Sequence, residues 1–337
     1  MEQGSGERWL LNRWYGEEPI LWLRPLEAVF RLLAGLRRWA YKVGLLKVVS
    51  PGVPVLVVGN ITVGGTGKTP LVLHLAQMLK QRGIRVGIVS RGYGGAGDVR
   101  LVRPDSLAAD VGDEPLLLAR RTDVPVCVGR DRVAAARQLV AMGVQCIISD
   151  DGLQHYRLAR QAQIAVLDST RGLGNGACLP AGPLREPVQR LAQMDLVVVN
   201  GAGMDNIPDG VVMQLEPDGV LPVNGNAPSR TLESFAGETV HAMAGIGNPD
   251  RFFESLRRQG IGVLPRPMRD HSVIEASDLV FPDQYEILMT EKDAVKCIGY
   301  PGANAWYVPV SARFNDPDRA RLNNLLDQLL TYPPGSD

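Results

Sequence analysis

Residues Thr62, Val63, Gly64, Gly65, Thr66, Gly67, Lys68 and Thr69 set three glycines, a lysine and a hydroxyl directly after an apolar run at 54–58 and just before a helical pattern at 71–80. Strand, glycine-rich turn, then helix is the order a phosphate-binding loop requires. Glycines let the chain curl until successive N–H groups converge on phosphate oxygens at a helix N-terminus. Lys68 then supplies a cation for the β- and γ-phosphates, and Thr69 a hydroxyl for the Mg²⁺ that a nucleotide triphosphate carries. Thr62 stands where the usual motif has its first glycine.

Other chemistry-bearing residues fall at places where such a loop needs help. Asp150 and Asp151 follow a strand-like run ending at Ser149, the position from which a phosphate-loop enzyme offers a second acidic group to the metal. The continuation to His155, Gly152-Leu153-Gln154-His155, adds polar groups at the same sheet edge. Asp113 and Glu114 lie in VGDEP, and Asp270 and His271 in MRDH. An Asp–His pair can accept the proton of a hydroxyl, with His as base and Asp orienting it. Two irregular stretches complete the set. SRGYGG at 90–95 carries Arg91 and Tyr93, and the segment from Thr170 leads into LPAGPLRE at 179–186, where Arg185 can neutralise a moving phosphate and Glu186 assist the metal.

These residues need a scaffold. From residue 53 onward, β-branched runs at 53–58, 85–89, 124–128, 145–149, 164–167 and 196–199 alternate with helical patterns, which predicts an α/β fold with a mostly parallel, helix-flanked sheet of the P-loop NTPase type. Residues 49–205 form this expected core. A Gly-, Pro-, Asn- and Asp-rich stretch at 206–234 reads as a linker, and 235–337 as a smaller α/β domain with strands at 240–244, 262–264, 286–289 and 306–310, a helix at 250–259, a terminal helix at 316–330 and a loose tail.

With 337 residues and 45% apolar content the chain can build substantial cores, and 36 basic against 36 acidic residues exclude a bulk charge directed at nucleic acid. Cys127, Cys146, Cys178 and Cys297 lack metal-ligand spacing and read as buried, reduced thiols of a cytosolic protein. No apolar stretch is long enough to span a bilayer, no export signal is evident, and nothing specifies an oligomeric state. Residues 1–48 are different in character. Trp22, Leu26, Val29, Leu33, Leu36, Ala40 and Val43 recur along one helical face, with Arg24, Glu27, Arg31, Arg38 and Lys42 opposite and Pro25 suited to the first turn. Such a helix can lie in an anionic membrane interface or dock on its own domain.

In order along 59–296, VGNITVGGTGKTP, SRGYGG, VGDEP, DDGLQH, the RGLGNG to LPAGPLRE segment, GIGNPDRFF and TEKDAVK resemble the tetraacyldisaccharide 4′-kinases of lipid A synthesis. The resemblance implies two α/β domains around a cleft, and transfer of the γ-phosphate of ATP to the 4′-hydroxyl of a tetraacylated glucosamine disaccharide 1-phosphate. The product is lipid IVA, made peripherally at the cytoplasmic face of the bacterial inner membrane. It further implies 62–69 as the ATP loop, Asp150 and Asp151 as the metal-side pair, and Asp113 with His271 as a catalytic dyad brought together by cleft closure. Because the substrate is a lipid, Trp22, Leu26, Val29, Leu33 and Leu36 are expected to face acyl chains, with Arg31, Arg37, Arg38 and Lys42 near headgroups. Two other readings are a P-loop GTPase or metallochaperone, and a nucleotide-gated membrane scaffold. The first lacks an [NT]KxD motif, since neither Asn200-Gly201-Ala202-Gly203 nor Thr290-Glu291-Lys292-Asp293 fits. A scaffold would have no use for a base beside the phosphates.

Overall fold

The computed structural model describes residues 5–16, 19–92, 97–207, 209–225, 227–300 and 304–332. Tyr93 to Gly95 of SRGYGG, and most of the expected loose tail, lie outside the described residues.

Strands β1 (Val55–Gly59), β2 (Val86–Ser90), β3 (Arg100–Val102), β4 (Val126–Val128), β5 (Cys146–Asp150), β6 (Ala162–Asp168), β7 (Leu196–Asn200) and β8 (Val211–Pro217) come first along the chain. They are followed by β9 (Leu221–Pro222), β10 (Thr239–Ala244), β11 (Gly262–Pro267), β12 (Glu286–Thr290), β13 (Ala305–Val308) and β14 (Val310–Arg313). The helices are α1 (Ser5–Trp14), α2 (Arg24–Lys42), α3 (Lys68–Gln81), α4 (Ala108–Val111), α5 (Asp113–Arg121), α6 (Arg132–Ala141), α7 (Pro249–Arg258), α8 (Glu291–Cys297) and α9 (Asp316–Leu330).

A nine-stranded sheet runs β14-β8-β7-β6-β1-β5-β2-β4-β3, parallel from β8 to β4 with antiparallel edges at β14 and β3. Its central strands are buried on both faces, which is why Val55–Gly59 reads as an unbroken apolar run rather than an alternating one. The chain leaves β1 and returns as β2 on the far side of β5, so β1 lies where the winding changes direction. Ligands of such sheets collect at the carboxyl ends of the strands beside that point. The second sheet, β11-β10-β12-β13-β9, is parallel except at β9 and has its own core around Phe235, Phe253 and Leu288.

The expected domain boundaries need redrawing. The stretch 206–234 is not a plain linker, because β8 joins the large sheet and β9 the small one. A single strand expected at 306–310 is two strands. Pro309, which has no N–H to donate, separates β13 in the small sheet from β14 in the large one. The chain is thereby returned to the large unit, and α9 follows it: Leu322, Leu325, Leu326 and Leu329 enter the same core as Leu71, Leu75 and Leu79 of α3. Arg82 at the end of α3 fastens α9 through Asp327 at 2.7 Å and Asn323 at 2.6 Å.

Helix α2 carries Pro25 in its first turn, as its sequence predicts, and leaves Leu26, Val29, Leu33 and Leu36 all more than half exposed. The buried residue of α2 is Glu27, which accepts the Cys178 backbone N–H at 2.9 Å and pairs with Arg24 at 2.7 Å. The helix is thus pinned by its polar side, with the apolar stripe turned outward. No described helix is long and apolar enough to cross a membrane. All four cysteines are buried and unpaired.

Candidate active site

Between β1 and α3 the loop 60–67 wraps the N-terminus of α3. Gly67 caps the helix in the left-handed region at φ +88°, and Asn200 packs so closely that a β-carbon there would collide with its amide. Asn200 Nδ2 donates to the Thr66 carbonyl at 3.2 Å, and Asn60 Nδ2 to the Gly64 carbonyl at 3.1 Å. The loop's carbonyls are therefore turned toward the protein, which frees its N–H groups for an anion. Asn60 Oδ1 and Thr66 Oγ1 are buried without a partner in the ligand-free chain, a cost normally avoided except at sites that await one.

Next to the loop, at the end of β5, the two acids differ sharply. Asp150 is wholly buried, accepts Ser90 Oγ at 3.3 Å through one oxygen, and leaves Oδ1 without a partner. Burial, reinforced by Glu114 and Asp151, pushes its carboxyl up to about 7 against the pull of Lys68 and Arg132. Burial also acts on Asp151, but Lys68, Arg185 and Arg132 outweigh it and hold that carboxyl at about 2. Lys68 Nζ lies 3.5 Å from Asp151 Oδ1 and Arg185 Nη1 3.3 Å from Oδ2. Arg132 supports the pair from below, donating to Ser149 Oγ at 3.2 Å, a contact that its place on α6 did not announce.

Asp113 and His271, 158 residues apart, meet across the cleft. His271 Nδ1 lies 2.9 and 3.1 Å from the two Asp113 oxygens. Burial alone would raise the Asp113 carboxyl, but His271, Lys292 and Lys296 hold it far below the usual range. Conversely the Asp113 hydrogen bond raises the His271 imidazole against burial and the Lys292 charge. The contact is already made with the cleft as it stands, so the closure expected on ligand binding is not needed to form it. Asp151 at φ +49° and His271 at φ +59° are the described non-glycine residues in the left-handed region. Such backbone costs about 1–3 kcal/mol and persists where the surroundings impose it.

One cleft of about 1230 Å³ joins these groups, lined by Lys68, Asp113, Asp150, Asp151, His271 and, along one wall, Arg31, Arg37 and Arg38 of α2. Arg185 and Glu186 both line it. The Glu186 carboxylate is engaged by protein donors: Gln154 at 3.0 Å, Tyr156 at 2.8 Å and Arg190 at 3.1 Å. The units on either side are fastened by Arg251, which reaches Asp168 at 3.0 Å and Asn200 at 3.1 Å, and by Arg171, which donates to the Gly247 carbonyl. Among the described residues no group of three or more His, Cys, Asp or Glu forms a ready metal site. Thr69 and the orphaned Asp150 oxygen suit a hard cation that arrives already held by phosphates.

A glycine-rich loop at a helix N-terminus and an Asp–His pair line one cleft, an arrangement that suits the P-loop kinases, which move a phosphoryl group from a nucleotide to a hydroxyl. Comparison with known proteins narrows the class. The family model described as tetraacyldisaccharide-1-P 4'-kinase matches residues 20–331, and the chain belongs to that family. It is 51% identical to the tetraacyldisaccharide 4'-kinase of Alkalilimnicola ehrlichii over 310 residues, 91% of this chain and 92% of that one. Against the Methylobacillus flagellatus protein of the same name the identity is 47%, covering 96% and 97%. Among solved structures, an "apo" form LpxK from Aquifex aeolicus in complex with ATP superposes with a TM-score of 0.74 at 26% identity, over 91% of this chain and 98% of that one.

Proposed function

We propose that this chain transfers the γ-phosphate of ATP to the 4′-hydroxyl of a tetraacylated glucosamine disaccharide 1-phosphate, forming lipid IVA in lipid A biosynthesis. The observation that carries the reading is the His271–Asp113 contact placed in the same cleft as Lys68. Asp113 accepts the Nδ1 proton, leaving the Nε2 lone pair to take the proton of the sugar hydroxyl. Loop residues 62–69 hold the triphosphate, with Lys68 on the transferring group and Arg185 beside it. Thr69, Asp150 and Asp151 face the metal side, and Glu186 joins them only by exchanging one of its protein donors. Bound Mg²⁺ would neutralise charge gathering on the phosphate oxygens. The transfer is direct and in line, with no phosphoenzyme. A GTPase or a scaffold would leave the His271–Asp113 pair without a task.

The decisive experiment follows γ-labelled ATP with the tetraacyl disaccharide 1-phosphate in detergent micelles. Label on the lipid is the expected result, whereas ATP hydrolysis without labelled lipid would point to another acceptor.

The lipid substrate places the enzyme at the cytoplasmic face of the bacterial inner membrane, held peripherally by α2. Withdrawing acyl chains into water costs about 0.8 kcal/mol per CH₂, so the enzyme must come to the bilayer. The outward apolar stripe of α2 and its arginines at the cleft mouth support this. Leu33→Glu combined with Leu36→Glu should weaken flotation with anionic vesicles at least tenfold and lower lipid turnover, without changing ATP binding. Unchanged flotation would remove α2 from the membrane.

A further inference from the structure

Neither the phosphate loop nor the dyad accounts for the lysine of TEKDAVK. Lys292 stands on the first turn of α8 with its side chain largely buried. Its ammonium lies 2.7 Å from Glu114 Oε1, 2.8 Å from Asp270 Oδ1 and 3.5 Å from His271 Nε2. Glu114 follows Asp113 in the chain and Asp270 precedes His271. One cation therefore ties together the immediate neighbours of both dyad members and meets the imidazole at the nitrogen opposite Asp113. A carboxylate only accepts hydrogen bonds and an ammonium only donates them, so this placement favours a neutral ring with the proton on Nδ1 and the lone pair on Nε2, and the ammonium's long 3.5 Å contact there is one that an entering hydroxyl replaces.

We propose that Lys292 is a positioning residue for the proton-accepting pair, holding His271 in the orientation and tautomer that its role requires and joining α5, α8 and the turn at 269–271 into one unit. The proposal rests on the phosphotransfer reading above. Its electrical consequence is distinct from its mechanical one. The charged groups around His271 are Asp113 and Glu114 from α5, Arg269 and Asp270 from its own turn, and Lys292 and Lys296 from α8. The Asp113 hydrogen bond and the Asp113 and Asp270 charges favour the protonated ring, while burial and Lys292 oppose it. A base must release its proton as well as take it, and Lys292 is the counterweight that permits release.

Lys292→Met removes that counterweight and leaves Glu114 and Asp270 without their shared cation. Expected are a kcat lower by roughly tenfold to a hundredfold, a KM for ATP close to wild type, and a move of both the acid limb of the kcat–pH profile and the His271 NMR titration to higher pH. Only four histidines are present, so His271→Gln identifies the resonance. Lys292→Arg keeps the charge and should hold the titration near wild type. If Lys292→Met fails to fold, Lys292→Gln carries the same test. A fall in kcat with an unmoved His271 titration would make Lys292 a mere clamp and overturn the proposal, as would wild-type kcat. If the wild-type chain labels no lipid, the functional reading fails, while the NMR titration still decides whether Lys292 governs His271.

Discussion

Asp113→Ala and His271→Ala are each expected to lower kcat by about two to four orders of magnitude, the range of positioned general acid–base catalysis, while ATP binding changes little. Asp113 and His271 bond to one another and lie beside Lys292 and Lys296, all of them outside the 62–69 loop. Their loss should therefore appear in turnover rather than in nucleotide affinity. The double variant should be scarcely worse than either single one, because residues acting as a unit are not additive. Loss of ATP binding in parallel with turnover would instead place them among the phosphate contacts.

The pH dependence provides a second, signed check. With His271 as the proposed proton acceptor, the rate is expected to rise with pH as the imidazole deprotonates. In the wild type Asp113 raises that titration above the ordinary histidine value. Asp113→Asn removes the charge that does so, and the acid limb of its residual activity should move to lower pH, opposite to the shift expected for Lys292→Met. Movement in the same direction for both would show that the limb belongs to another group.

The parts of this site that were legible in the sequence are those specified locally. A strand, glycines and a helix follow one another between residues 55 and 81, so the loop at 62–69 and the acids at the end of β5 could be read directly. The sheet class followed from apolar runs recurring between helical patterns. Membership of a particular sheet did not, because it depends on pairing between distant segments: β8 with β7, and β14 with β8. The Asp113–His271 contact is likewise invisible to spacing, and resemblance suggested it where periodicity could not. Lys292 and Arg132 escaped notice because a single cation on a helix has no pattern, and the positive φ of Asp151 and His271 has no signature in residues other than glycine. On α2 the exposed stripe was legible, whereas the buried Glu27 that anchors the helix looked like one more charge on its polar face.

Lys68→Met is expected to lower kcat by about three orders of magnitude or more, and unlike the dyad variants it should weaken ATP binding as well. Its ammonium sits in a narrow place, 12% exposed, between the turn of the loop and Asp151. In the ligand-free chain Asp151 supplies the counter-charge, and Arg185 holds that carboxylate in turn. Entry of a γ-phosphate would offer Lys68 a second anion without a move of the side chain, and on the proposed role the cation would be preorganised for the charge that develops during transfer. Removing it leaves two neighbouring carboxylates and a triphosphate facing one another with one cation fewer, a repulsion that binding and transfer both feel. Lys68→Arg should not rescue, since a planar guanidinium cannot replace a compact ammonium in that space. The measurement is γ-label transfer together with ATP binding by calorimetry. A Lys68→Met enzyme within tenfold of wild type in turnover would mean that Arg185 and the loop N–H groups carry the transferring phosphate alone, and that the cleft works without the lysine of its loop.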